Sequence, residues 1–499
     1  MPSSKFRNAS NGRPTPTLLC ASSAEPWPTV RPRVSLDKVA LFCRMRSIIL
    51  GTLLLIACVA GERLPVPGGV KPRLGASSGT ALVAASASGS LRARQQLIVT
   101  TVGLSLFNDV LLLLMVVPML PSLLETSTSG AGAHRELALA LLFSTKEFCQ
   151  CLCAPLAGAL TVRVGTRTSL AASLIGLAVS TIAFAEARTY RQLVVARLLQ
   201  GATSAALMSG GLTLIAETHE PERRAGAISR AHAGLGLGAA LGPVVGGLGY
   251  EMLGRRATFH LVALLILLTA AAHIALHVSA PAGSVLREDR RRTRGAVPLV
   301  QQVRDLLRNW SVATVLAGMF AVYAAGGLFD TTYGLHLSDV FGLGPARASI
   351  IFSIEPITYL LTMATISWGG LIERVGKPRL AAAGLALVGL SLPLLTLGNR
   401  MESVVLALVL HGVGYGAKDA VGHGLLADLV DRYRLGSYAM VFALADSSDS
   451  AGYIVGPLAG TALSRAVGSP LVGLLFFAGL CGVLIAPTLE LGEAKQRKR

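Results

Sequence analysis

The chain has 499 residues, 52% of them hydrophobic and only 14% charged, with a mean hydropathy of +0.60; this exceeds what one soluble core can bury and reads as a polytopic membrane protein. The formal net charge of +18 excludes little alone. Its basic residues stand in short clusters between apolar runs, where they orient membrane helices, and not on the compact face that binds nucleic acid.

Residues 1–90, rich in Pro, Ser and Arg, read as a cytoplasmic extension without stable structure. Within it SIILGTLLLIACVA (Ser47 to Ala60) is too short to span comfortably and looks like a signal peptide's apolar region, as an alternative start or an extended gene reading would leave. An extra anchor segment is the rival reading. From Leu97 onward apolar segments recur, each near the ~20 residues a bilayer core demands. The first six run Leu97 to Leu120, Leu137 to Leu160, Thr168 to Glu186, Leu193 to Ala216, Ala227 to Met252 and Thr258 to Ser279. A basic stretch containing REDRRRTRG (Arg287 to Gly295) follows. Six more segments run Val312 to Leu335, Ala348 to Leu371, Leu380 to Leu397, Val404 to Ala427, Tyr438 to Leu463 and Leu471 to Pro487. The expected division is an extension over 1–90, a six-helix bundle over 91–279, a basic linker over 280–310, a second six-helix bundle over 311–489 and a basic tail over 490–499.

Basic residues at Arg92/Arg94, Arg163/Arg167, Arg223/Arg224, Arg287 to Arg294, Arg374/Lys377/Arg379, Arg432/Arg434 and Lys495 to Arg499 fall on alternate connections. That side, with both core termini, is expected to be cytoplasmic. Arg188, Arg191, Arg255 and Arg256 fall on the opposite side. An internal repeat supports the two bundles: GALTVRVGTR (Gly158 to Arg167) is echoed by GGLIERVGK (Gly369 to Lys377), and GAALGPVVGG (Gly238 to Gly247) by GYIVGPLAG (Gly452 to Gly460). The expected fold is all-α, with twelve transmembrane helices in two pseudo-symmetric halves facing a midplane site. Seven cysteines show no zinc or redox spacing. Cys149, Cys151 and Cys153, two apart, are expected to share no helix face and to serve packing.

Asp109, Lys146, Asp330, Asp419 and Asp446 fall well inside the expected spans, with Glu147, Glu355, Asp449 and His423 beside them. A charge at the bilayer centre costs about 2.5–3.5 kcal/mol on the most lenient scale, so these groups are expected to line a wet or paired interior. Static ion pairs locking helices together are one reading, for Lys146 above all; a coupling role is the other. One lysine cannot neutralise so many acids, so the interior is expected to attract cations and protons. A desolvated carboxylate holds its proton more tightly, which lets proton and organic cation compete for one site. In VFALADSSDSAGYIVGP (Val441 to Pro457), Asp446, Asp449 and Tyr453 are spaced to project from one helix face. In RLLQG (Arg197 to Gly201), Arg197 needs a partner within the membrane. Gly242 and Pro243 of GPVVGG suit close approach and flexing. Gly158, Arg163, Gly165, Arg167, Gly369, Arg374 and Gly376 belong to the repeated signatures, where Gly165 and Gly376 suit tight turns.

The signatures GALTVRVGTR, RLLQG and GAALGPVVGG resemble those of the major facilitator superfamily. NDVLLLLMVVPMLP, LLFSTKEFCQ, GPVVGGLGYEMLG, LLADLVDRYRLGSY and ALADSSDSAGYIVGP are similar to the vesicular amine transporters, which include the monoamine and acetylcholine carriers. The resemblance implies that Asp109 receives the substrate amine, that Lys146 pairs with Asp446, and that Asp419 serves proton coupling. It places Asp330 where the monoamine carriers have a glutamate. Phe143, Tyr359 and Tyr453 match pocket aromatics, and Arg197 the fourth-helix arginine. It implies a proton-driven antiporter, without a cofactor, that loads a small cationic amine into a secretory or synaptic vesicle and works as a monomer.

Departures qualify the guest. Val110 stands where the family has an asparagine, His336 where it has a tryptophan and Asp449 where it has an aromatic residue; Glu355 is an added acid. Fewer rings and more carboxylates favour a small or multiply charged amine over a catechol or indole. The stretch Pro121 to Glu136 is short and carries neither sequon nor cysteine, unlike the family's large loop. A broad-specificity cation or drug exporter of the same fold and a non-transporting membrane sensor are the alternatives. Nothing in the sequence forms a nucleophile–base pair, a metal-ligand set or a phosphate-binding loop, so no enzyme is expected.

Overall fold

The computed structural model describes residues 78–116, 132–278, 298–342, 351, 353–397 and 400–496. Side chains are described from Leu91 onward, those of 132–140, 143, 330–340, 396–397, 470 and 492–496 excepted. Among these residues the elements are helices: α1 Ser78–Met115, α2 Gly132–Val164, α3 Thr166–Glu186, α4 Tyr190–Thr218, α5 Pro221–Val278, α6 Leu299–Arg308, α7 Trp310–Phe341, α8 Ile354–Trp368, α9 Leu371–Val375, α10 Lys377–Leu397, α11 Met401–Tyr433, α12 Tyr438–Val467 and α13 Pro470–Gln496. In their described parts the expected spans lie on helices, though Ala348 to Leu371 also takes in Ser353 and a turn at Gly369 and Gly370, and among the described residues eight stretches are long and apolar enough to cross a membrane. The chain is a multi-pass membrane protein.

Local chemistry sets several boundaries. Thr189 and Gln192 form a reciprocal capping box at the start of α4. Ser437 accepts the amide of Met440 at the start of α12, and Gly468, left-handed at φ 75°, ends it. Gly254 (φ 76°) breaks α5 into two legs, so two expected spans share one element. In the repeated signatures Gly165 and Gly376 adopt matching conformations, φ 90° and 91°, the turn expected of them.

Three boundaries differ from the sequence expectation. Helix α1 begins at Ser78, ahead of Leu97, and α2 begins at Gly132, inside the stretch expected as a loop. Helix α6 stands in the expected basic linker: LVQQVRDLLR gathers Leu299, Val303 and Leu306 along one side and exposes Arg304 and Arg308, and Leu306 is buried. The segment Ser47 to Ala60 lies outside the described residues.

Glycines seat the helix pairs that frame the interior. Helix α5 runs along α1 through Gly238, Gly242 and Gly246; a Cβ on Gly238 would stand 2.7 Å from the Phe107 carbonyl oxygen and one on Gly242 2.8 Å from Leu114 Cβ. Helix α12 runs along α7 in the same way, through Gly452 against Phe320, Gly456 against Ala324 and Gly460 against Leu328. Further contacts join α2 and α4 to α12, and α5 to α8 and α11. Gly158 belongs to the first of these, since its Cβ would stand 2.6 Å from Ala443 Cβ.

One end of the assembly gathers the basic connections. Arg224 pairs with Asp431 at 2.6 Å, Lys377 with Asp428 at 2.6 Å, and the Arg224 guanidinium lies 4.9 Å from the Tyr438 ring centroid. At the opposite end Arg256 lies 3.1 Å from Glu186, so a basic residue on the less basic side is partly neutralised.

Candidate functional site

Two buried polar clusters meet on α12. The first joins α1, α2, α4 and α12. Lys146 Nζ lies 3.0 Å from Glu147 Oε1 and 3.6 Å from Asp109 Oδ2, and Ser204 Oγ donates to Asp109 Oδ1. Ser450 Oγ donates to Glu147 Oε2 at 3.1 Å, while Gln150 Nε2 donates to Asp446 Oδ1 at 2.6 Å. The implied Lys146–Asp446 pair is not a direct contact here: the lysine holds Glu147 and Asp109, the amide of Gln150, one turn along α2, takes Asp446, and Asp446 stays within electrostatic reach of Lys146. Ser447 Oγ donates to the Cys151 carbonyl at 2.9 Å, fastening the same two helices.

The second cluster joins α7, α8, α11 and α12. Tyr323 and Tyr359 both donate to Asp419 Oδ2, at 3.2 and 3.1 Å. Tyr415 completes the group, its ring centroid 5.0 Å from that of Tyr323 and 5.6 Å from that of Tyr359. Asp449 lies within electrostatic reach of these tyrosines, of Asp419 and of Glu147, so it stands between the clusters. Asp419 Oδ1, Asp446 Oδ2 and both oxygens of Asp449 are buried without a hydrogen-bond partner.

Lys418 is a second intramembrane lysine that the sequence reading passed over. It is 2% exposed, its Nζ has no hydrogen-bond partner, and Asp419 and Asp449 are within its electrostatic reach. The rule that singles out Asp419 applies equally to its neighbour. Tyr323 and Tyr415 were also missed, and with Tyr359 they correct the expectation of few rings. Their spacing on separate helices carries no local signal.

Other expected residues fall as follows. Tyr453 is half-buried on α12 and Glu355 half-buried on α8. The side chains of Phe143, Asp330 and His336 lie outside the described ones. Arg197 is fully buried, donates to Gln200 Oε1 at 2.7 Å and lies 5.3 Å from the Phe184 ring centroid. A Cβ on Gly201 would meet the backbone of Lys146 and stand 2.9 Å from Cys149 Cβ, so RLLQG seats α4 on the helix that carries the lysine. Arg163 and Arg374 are exposed, Arg167 half-buried. Pro243 lies inside α5, and Gly369 caps α8. His423 meets His232 of α5 edge to face, ring centroids 4.6 Å apart. Cys149 and Cys153 correct the expectation that the cysteines share no face: four positions apart on α2, their Sγ atoms stand 3.7 Å from each other.

Among known proteins, the synaptic vesicular amine transporter of Bos taurus is 28% identical over 370 residues, 73% of this chain and 68% of that protein. The probable vesicular acetylcholine transporter-B of Danio rerio is 27% identical over 406 residues, 80% of this chain and 79% of its own. The crystal structure of the human organic anion transporter MFSD10 (TETRAN) superposes with a TM-score of 0.64 at 18% identity, covering 79% of this chain and 99% of that one, a likeness of fold alone. The sequence profile of the Major Facilitator Superfamily matches residues 100–354 and 315–499. Spanning most of the chain and agreeing with the all-helical architecture and repeated glycine turns, that match shows that the chain belongs to the Major Facilitator Superfamily, whose members are transporters and not enzymes.

Proposed function

We propose that the chain is a proton-coupled antiporter that loads a cationic amine into acidic vesicles by alternating access. The observation that carries this reading is uncompensated buried acidity: away from the helix ends, five buried carboxyls (Asp109, Glu147, Asp419, Asp446, Asp449) meet three buried cations (Lys146, Arg197, Lys418) among the described side chains. A carboxylate oxygen with no partner in a dry interior holds either a proton or a cation. Exchange of one for the other is the coupling step. The similarity to vesicular amine and acetylcholine transporters supports an ammonium as the cation.

In this reading Asp109 receives the ammonium, and Asp330, Phe143, Tyr359, Asp449 and Tyr453 serve substrate binding. Asp419 and Asp446 exchange protons as the bundles 91–279 and 311–489 rock against each other, with core termini in the cytoplasm. Protonation from the acidic lumen expels the amine there, and the return to the cytoplasmic side releases the proton. The test is uptake of labelled amines into proteoliposomes with an acid interior, with and without the gradient. Gradient-dependent accumulation that Asp419→Asn abolishes is the expected outcome; accumulation unchanged by collapse of the gradient would sink the coupling.

A further inference from the structure

The two clusters divide the excess acidity evenly. Around α2, three buried carboxyls (Asp109, Glu147, Asp446) meet two cations, Lys146 and Arg197; around α11, Asp419 and Asp449 meet one, Lys418. With acids ionised and bases protonated, each cluster is left with one negative charge. Both clusters contain carboxylate oxygens without a hydrogen-bond partner: one on Asp446 in the first, and one on Asp419 with both of Asp449 in the second. Asp446 and Asp449 are three positions apart on α12, so their Cβ atoms stand roughly 5–6 Å from each other on one face. In the deprotonated state that takes up the guest, a single ammonium group neutralises one cluster and leaves a bare carboxylate in the other, an expensive state in a dry interior.

We infer that the transported guest carries two positive charges a few carbons apart, a diamine or a longer polyamine, with one nitrogen in the first cluster, on Asp109 and Asp446, and the other between Asp449 and Asp419. The inference rests on the proposed amine transport and names the substrate class of that same site. The rings of Tyr323, Tyr359 and Tyr415 beside Asp419 offer π-faces to the second nitrogen. Half-buried Glu355 lies within electrostatic reach of Tyr359 and Tyr415 and adds acid at that end.

The experiment uses the full chain in acid-interior proteoliposomes, with labelled putrescine and its monocationic counterpart n-butylamine. Putrescine is expected to be taken up with a kcat/KM about tenfold or more above that of n-butylamine, the scale of one desolvated charge contact. Asp449→Asn should bring that ratio toward one, and Asp449→Glu should keep it. Because the ratio is read within each protein, partial loss of folded material does not move it. Equal handling of the two amines by the unaltered chain, or an Asp449→Asn variant that keeps the putrescine preference, overturns the inference. Uptake of n-butylamine alone overturns it and leaves amine transport standing; uptake of neither, by protein that elutes folded, overturns both.

Discussion

Lys146 holds two carboxylates at once, and this sets what its neighbours tolerate. Removing one partner of a buried pair strands the other charge, a loss of about 3–5 kcal/mol, whereas replacing both by apolar groups is often nearly neutral. Lys146→Met should therefore lower the melting temperature of detergent-purified protein more than the double change Lys146→Met with Glu147→Leu. A double change that unfolds earlier than the single one would show that the pair itself stabilises. Because Asp446 bonds to Gln150, exchanging Lys146 and Asp446 is expected to restore no stability lost in Asp446→Ala. Full restoration would reinstate the pair that the family resemblance implied. Asp446 was legible as an inward-facing acid from its place in an apolar run; its partner was not, since two helices distant in sequence have a relative register that neither encodes.

Glycine spacing governs how the helices meet. The four-residue repeats Gly238, Gly242, Gly246 and Gly452, Gly456, Gly460 lie against α1 and α7, so the two halves reuse one packing device. An added methyl at such a seat forces backbone apart, at about 1–3 kcal/mol. Gly452→Ala should lower thermal stability by that amount, while Gly482→Ala, whose Cβ would meet nothing within 4 Å, should change it little. Equal loss from both would show that the seats on α7 carry no packing load. These repeats could be read from sequence because small residues at fixed spacing have few other uses in a membrane helix. Helix α6 could not, because its apolar side is short and embedded in a strongly basic stretch.

Across the whole molecule, contacts between the halves hold one end closed. Arg224 of α5 pairs with Asp431 of α11, whose carboxylate also accepts from Tyr438 of α12. Deeper along α5, Ser367 donates to Ser229 at 2.6 Å, and Ser209 of α4 donates to the Ala439 carbonyl at 3.0 Å. Asp431 is partly exposed, so salt screens this latch and its removal should shift a conformational balance without unfolding the protein. Arg224→Ala should raise the rate at which a maleimide alkylates a cysteine placed at Ser229. An unchanged rate would show that other contacts close this end.

The sequence by itself determined the class of the molecule and the inventory of its interior. Twenty-residue apolar runs can only be helices in a membrane, repeated glycine motifs announce two related halves, and a charge such as Asp109 or Asp419 within a run must be inside the protein. Only the tertiary structure decided which charges meet. It gave Lys146 to Glu147 and Asp109, gathered Tyr323, Tyr359 and Tyr415 from three helices around Asp419, and left Asp449 between two clusters. The physical reason is one of range. Hydropathy and turn chemistry act along a segment, whereas an ion pair depends on the rotation and depth of two helices, which the packing of all of them sets together.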